Sequence, residues 1–223
     1  MPEPMRVEIA PHQHVTAAIY RSKREQTGTL ILGHGAGADQ TSSFMVTFAN
    51  ELAARGINAV TFNFSYTEQR RRVPDPNGKL EACFRAVIEA VRGKIGGRRP
   101  AIGGKSMGGR IASQVAAAGT DVAGLVFLGY PLHPPGKPDQ LRTKHWPAIE
   151  APMLFIQGSR DAFGTPDELR PIIQRLKIPI DLYVVEGGDH SFKVPKRAGI
   201  AQEDVYRAML DRIEQWMRVS LTT

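Results

Sequence analysis

Arg99-Pro-Ala-Ile-Gly-Gly-Lys-Ser-Met-Gly-Gly-Arg110 is the stretch on which the reading of this chain turns. Within it, Gly104-Lys105-Ser106-Met107-Gly108 has the form G-x-S-x-G, set between a short apolar run and an Ala-rich helical one. A strand that turns abruptly into a helix needs small residues around the serine, because larger side chains would strike the neighbouring strand. Such an elbow lifts the hydroxyl out of a sheet and sets it at a helix N-terminus. There, orphan N–H groups and the helix dipole favour developing negative charge. The same string fails as a phosphate loop: Lys105-Ser106 resembles G-K-S, but residues 99–102 build a strand where the glycine-rich turn would have to lie.

Outward from the elbow, short apolar runs alternate with longer helical patterns. This predicts an α/β fold: a mostly parallel central sheet with helices on both faces. Residues 6–10 and 15–21 read as edge strands, and 28–33, 57–62, 100–103, 122–128, 151–156 and 180–185 as inner ones. Helical spacing covers 42–54, 80–92, 109–118, 167–176 and 202–219. Residues 130–150 are rich in Pro and Lys with little periodicity, which predicts an excursion beside the site rather than a linker. One domain over 1–223 is expected, with no repeat and no low-complexity tract.

With 223 residues, 42% of them apolar, the chain can bury one substantial core. Its apolar runs are too short to span a membrane, and its first residues lack the apolar centre of a secretory signal. The one cysteine, Cys83, excludes an internal disulfide framework and predicts a packing role in a reducing, cytoplasmic setting. The net charge of +7 raises the question of a polyanionic partner. The basic residues are scattered, however, and the one compact run, Arg70-Arg71-Arg72, is three residues long, so no dedicated nucleic-acid binding is expected. His12, His14, His133 and His145 lack metal-ligand spacing, so neither a metal nor another cofactor is expected.

In open parallel sheets, ligands gather beyond the carboxyl ends of the strands. Four strands end in polar or glycine-rich tips: His34-Gly-Ala-Gly37, Ser106, Asp161 and His190. A serine hydroxyl needs a base to take its proton, and a histidine does so best when an acid fixes its tautomer. The chain supplies Ser106, Asp161 and His190 in that order, each after an expected strand. Asp189 is a rival acid, although adjacency to His190 sends the two side chains apart. Acyl transfer also needs N–H donors for the oxyanion. The candidates are Met107, just past the serine, and Ala36 or Gly37 in the turn after the first inner strand. His34, Tyr66, Arg70 and Lys105 are candidates for the substrate rim, with His34 also able to brace its own loop.

These residues resemble the α/β-hydrolase superfamily. The narrower resemblance is to the small branch of testis-expressed protein 30 and the hydrolase-like domain of the NSL-complex regulatory subunit 3, with dienelactone-hydrolase-like enzymes as neighbours. It rests on His34-Gly-Ala-Gly-Ala38, Phe62-Asn-Phe-Ser-Tyr66 followed by the Arg70–Arg72 run and Pro74-Asp75, Gly103-Gly-Lys-Ser-Met-Gly-Gly-Arg110, Gly158-Ser-Arg-Asp161 and Gly187-Gly-Asp-His190-Ser-Phe192, and covers about residues 27–218. The resemblance implies a Ser106–Asp161–His190 triad with an oxyanion hole from Met107 and the Ala36 region. It also implies a carboxylesterase-like serine hydrolase acting on small soluble esters or related acyl compounds. The larger members of the branch act as scaffolds, so a non-catalytic protein-interaction module is the alternative. No sizeable lid insertion follows the sixth strand, which predicts an open pocket. A monomer or homodimer would satisfy these expectations.

Overall fold

The computed structural model describes residues 1–96 and 99–220. Eight strands form one sheet in the order β1-β2-β4-β3-β5-β6-β7-β8. β1 (Glu3–Ala10) and β2 (Gln13–Tyr20) make an antiparallel hairpin, and β2 runs antiparallel to β4 (Ile57–Phe62). From there on the sheet is parallel, through β3 (Gly28–Gly33), β5 (Ala101–Lys105), β6 (Leu125–Leu128), β7 (Met153–Gly158) and β8 (Ile180–Val185).

The inner strands read as continuous apolar runs because both of their faces are covered. Alternate side chains go to opposite faces, so Ile31, Phe127 and Phe155 enter one core while Leu30, Leu32, Val126 and Leu154 enter the other. The first core is closed by α3 (Asn77–Ile95), α4 (Met107–Ala117) and α5 (Pro166–Ile173). The second is closed by α1 (Ser43–Ala54) and α6 (Gln202–Ser220). Cys83 lies in α3 as expected, fully buried, and burial pushes its thiol up to about 12. It is packing, not chemistry.

The elements match the expected ones apart from their ends and a few short helical turns. β1 starts at Glu3 rather than residue 6, because an edge strand can carry polar outward residues that hide its period. α5 starts at Pro166, where Thr165 and Glu168 form a reciprocal capping box. A short helix, α2 (Ser65–Glu68), follows β4 and was not foreseen. Four residues are too few for a periodic signal.

Strand order decides where a ligand can sit. The connection from β3 leads outward to β4 on one side, while β5 lies on its other side, so the order reverses between β3 and β5. At such a switch point the loops after the two strands part and leave a crevice. The loops concerned carry His34–Gly37 and Ser106. No helix among the described residues is long and apolar enough to cross a membrane.

Candidate active site

Ser106 occupies a left-handed backbone conformation, φ 50° and ψ −113°, between β5 and α4. A non-glycine residue there is strained and persists only where the surroundings hold it. The surroundings are the glycines. A Cβ on Gly108 would lie 2.1 Å from the Gly33 carbonyl oxygen, one on Gly104 2.2 Å from that same atom, and one on Gly103 1.9 Å from the Val126 carbonyl oxygen. The G-x-S-x-G string is therefore a packing requirement: α4 rests directly on the backbone of β3.

Gly108→Ala is accordingly expected to cost at least about 3 kcal/mol, since backbone and not a flexible side chain must yield. Gly93→Ala, at an exposed position of α3 with no atom of the described residues within 4 Å of the added Cβ, is expected to stabilise by about 0.5–1 kcal/mol. Urea midpoints of the two variants check the contrast; equal midpoints would contradict the packing account.

Ser106 Oγ lies 2.8 Å from His190 Nε2, and His190 Nδ1 lies 2.7 Å from Asp161 Oδ2. Asp161 is fully buried and accepts from the Phe163 amide at 2.8 Å and from Gln157 Nε2 at 2.9 Å. Its second oxygen thus has two partners, the imidazole and Gln157. Gln157 also donates to the Gly164 carbonyl at 2.7 Å and accepts from the Tyr130 amide at 2.8 Å. The Phe163 ring covers the imidazole, with centroids 4.2 Å apart. Asp189 instead accepts from the Ser191 and Lys193 amides, closing the turn that carries His190. The rival acid is committed elsewhere.

Met107 is the first residue of α4, so its amide has no intrahelical acceptor. Met107 and Ala36 both line the cavity over Ser106, whereas Gly37 does not. Gly37 has φ 73° in a turn closed by the Ala38 amide on the Gly35 carbonyl, a conformation that suits glycine. A Cβ on Gly35 would sit 3.7 Å from that of Ser106, so this turn abuts the serine.

The expected rim is mostly displaced. His34 is fully buried: its Nδ1 donates to the Gly35 carbonyl at 2.8 Å and its Nε2 accepts from the Phe64 amide at 3.2 Å. Burial lowers its pKa, which suits this neutral bracing form. Tyr66 is also buried, because α2 turns its ring inward against His34. Arg70 is exposed, with φ 56°, and is not part of the cavity wall. Lys105 does reach the cavity, but its Nζ donates to the His190 carbonyl at 2.6 Å. Burial pushes its pKa down to about 8, against the opposing pull of Asp161 and Asp189. It is a strut under the histidine turn, not a solvent-facing group. Among the described residues no cluster of His, Cys, Asp or Glu could hold a metal ion.

The cavity measures about 660 Å³. Phe44, Met45, Leu80, Met107 and Phe163 give it apolar wall, and Arg110, Arg142 and Lys193 give it charge. Of the excursion after β6, only Pro131 and Arg142 reach it, so among the described residues nothing lid-like closes over the serine. A buried knot pins that excursion: Ser113 Oγ donates to the Arg110 carbonyl at 2.7 Å and meets His145 Nε2 at 2.7 Å, while Tyr130 Oη donates to the Arg142 carbonyl at 2.8 Å.

Burial, with neighbouring Arg110, pushes His145 down to about 4 from an ordinary 6.5. Between those values the unfolded chain takes a proton that the folded chain refuses, so stability falls as pH falls through that window. His34 adds in the same direction. His145→Gln is expected to flatten part of that slope in melting temperatures between pH 7 and 4.5; an unchanged slope would contradict it.

The model of the family described as an alpha/beta hydrolase domain matches residues 26–218. The chain belongs to that family. Solved α/β-hydrolase structures share its fold at low identity. An α/β serine hydrolase without a lid from Xanthomonas campestris is 21% identical with TM-score 0.76, over 96% of this chain and 94% of that one. A dienelactone hydrolase from Anabaena variabilis is 18% identical with TM-score 0.76, over 99% and 98%. A serine hydrolase homologue from Coxiella burnetii is 20% identical with TM-score 0.71, over 97% and 95%. The mostly parallel sheet, the helices on both faces and the missing lid agree with this α/β-hydrolase assignment.

Proposed function

We propose that this α/β hydrolase is a carboxylesterase-like serine hydrolase of small soluble esters or related acyl compounds, working through an acyl-enzyme. The observation that carries the reading is the unbroken hydrogen-bonded line from Asp161 through His190 to Ser106, at 2.7 and 2.8 Å. Asp161 holds the Nδ1 proton, which leaves Nε2 with its lone pair toward the serine. As Oγ attacks the ester carbonyl, Nε2 takes the hydroxyl proton. The carbonyl oxygen becomes an oxyanion facing the Met107 and Ala36 amides. His190 then protonates the departing alcohol, and in the second half deprotonates the water that releases the acid.

The chemistry of the solved relatives points the same way, and the motif set favours the testis-expressed protein 30 branch within the family. The lone buried Cys83 fits a reducing compartment such as the cytoplasm. Short acyl chains suit the cavity best, because the apolar wall gives way to Arg110, Arg142 and Lys193. A long alkyl chain would have to desolvate those cations without pairing them.

A panel of p-nitrophenyl esters from acetate to laurate tests this. Highest kcat/KM at two to four carbons, with an acylated Ser106 peptide trapped by acid quench, is expected. Absence of turnover in folded protein would leave the interaction-module reading in its place, and better turnover of laurate would contradict the short-chain preference.

A further inference from the structure

The wall of the cavity carries two arginines that the reaction above does not use. Arg110 lies in the first turn of α4, four residues after Ser106, and both line the same cavity. Its guanidinium donates to Asn77 Oδ1 at 3.2 Å and to Gln114 Oε1 at 3.4 Å, both neutral acceptors. Arg142 comes from the excursion after β6 and donates to the Pro131 carbonyl at 3.4 Å, again neutral. Neither forms an ion pair with a carboxylate among the described residues. Glu81, whose field reaches Arg110, is taken by Arg85 at 3.8 Å. The acid on the cavity wall, Asp75, is paired with Arg71 at 2.5 Å.

Partly buried guanidiniums are ordinarily matched to carboxylates, because a desolvated charge without a counter-charge is costly. These two also disfavour each other: burial first, and then Arg142, lower the pKa of Arg110. Both are nevertheless held in place by neutral hydrogen bonds, and the knot of Ser113, His145 and Tyr130 fixes the loop that presents Arg142. Held cations without counter-charges are what a preorganised anion subsite requires.

We propose that Arg110 and Arg142 bind a carboxylate borne by the substrate, which makes the preferred substrates esters that carry a free acid group. The catalytic part of this proposal rests on Ser106 being the nucleophile; the binding part does not.

Two p-nitrophenyl esters of glutaric acid separate the possibilities, one with its second carboxyl free and one with it methylated. The parent protein is expected to favour the free acid by at least about tenfold in kcat/KM, mainly through KM. Arg110→Gln and Arg142→Gln should each bring that ratio down by about fivefold or more. Arg70→Gln, which removes the same charge from an exposed site outside the cavity, should leave the ratio where it was. A ratio near one in the parent, or an equal fall in all three variants, would overturn the subsite and leave only long-range attraction from the net charge.

Binding is read separately in Ser106→Ala by calorimetric titration with monomethyl glutarate, with and without Arg142→Gln. Binding that weakens with Arg142→Gln while the parent hydrolyses neither ester would uphold the subsite and sink the hydrolase reading. Turnover of both esters with no arginine-dependent binding would do the reverse.

Discussion

Ser106→Ala is expected to lower kcat for short esters by about 10⁴–10⁶-fold, the range in which loss of a serine nucleophile falls. The change removes one atom whose hydrogen bond runs to His190 Nε2. Alanine meets the left-handed backbone at this position with a side chain no larger than serine's, so the elbow should survive. A melting temperature within a degree or two of the parent is therefore expected alongside the lost turnover. Residual activity should come from the amide donors and from binding, and should no longer accumulate an acyl-enzyme. Retention of a tenth of the parent rate would mean that another group attacks the ester.

Asp161→Asn is expected to lower kcat by about 10⁴-fold, since an amide beside Nδ1 favours the tautomer whose Nε2 carries the proton and cannot accept one from serine. The structure adds a stability cost. Asp161 accepts on one oxygen from the Phe163 amide and on the other from both Gln157 and His190. An asparagine must therefore turn its NH₂ against an N–H donor in either orientation, in a fully buried position. Loss of about 1–3 kcal/mol in urea unfolding is expected with the loss of rate. Gln157→Leu tests the same network from behind: it should keep the histidine tautomer and cost far less in kcat. Equal losses for the two variants would show that Asp161 acts only by bracing the loop.

The parts of this site that were legible in the sequence are those written in short local strings. The elbow needs its glycines because α4 lies on the backbone of β3, so Gly104 and Gly108 mark Ser106 without any long-range information. Asp161 and His190 could be placed because each directly follows a strand, and parallel strands end on the same side. The inner strands were equally plain, since burial on both faces leaves uninterrupted apolar runs.

What could not be read depended on where side chains turn. Tyr66 and Arg70 both follow β4, yet unforeseen α2 sends the first inward and leaves the second in solvent. His34 can be read from the sequence either as a rim residue or as a brace for its own loop, and its two nitrogens, both taken by nearby backbone, give it the bracing place. Lys105 alternates out of β5 toward the histidine turn, a contact made across 85 residues. Gln157 lies near the end of β7 and Phe163 in the loop after it, and no sequence pattern separates a glutamine that props a carboxylate from one in water. Arg142 lay in a stretch with no period, and its place on the cavity wall is set by Tyr130, Ser113 and His145.

The central claim is that His190 and Asp161 activate the Ser106 hydroxyl. Intact-protein and peptide mass spectrometry after exposure to a fluorophosphonate measures this most directly, using the parent and Ser106→Ala. One phosphonyl adduct on Ser106 in the parent, with none in the variant, is the predicted result. A folded parent that takes up no adduct, or takes it up equally after Ser106→Ala, would contradict the account.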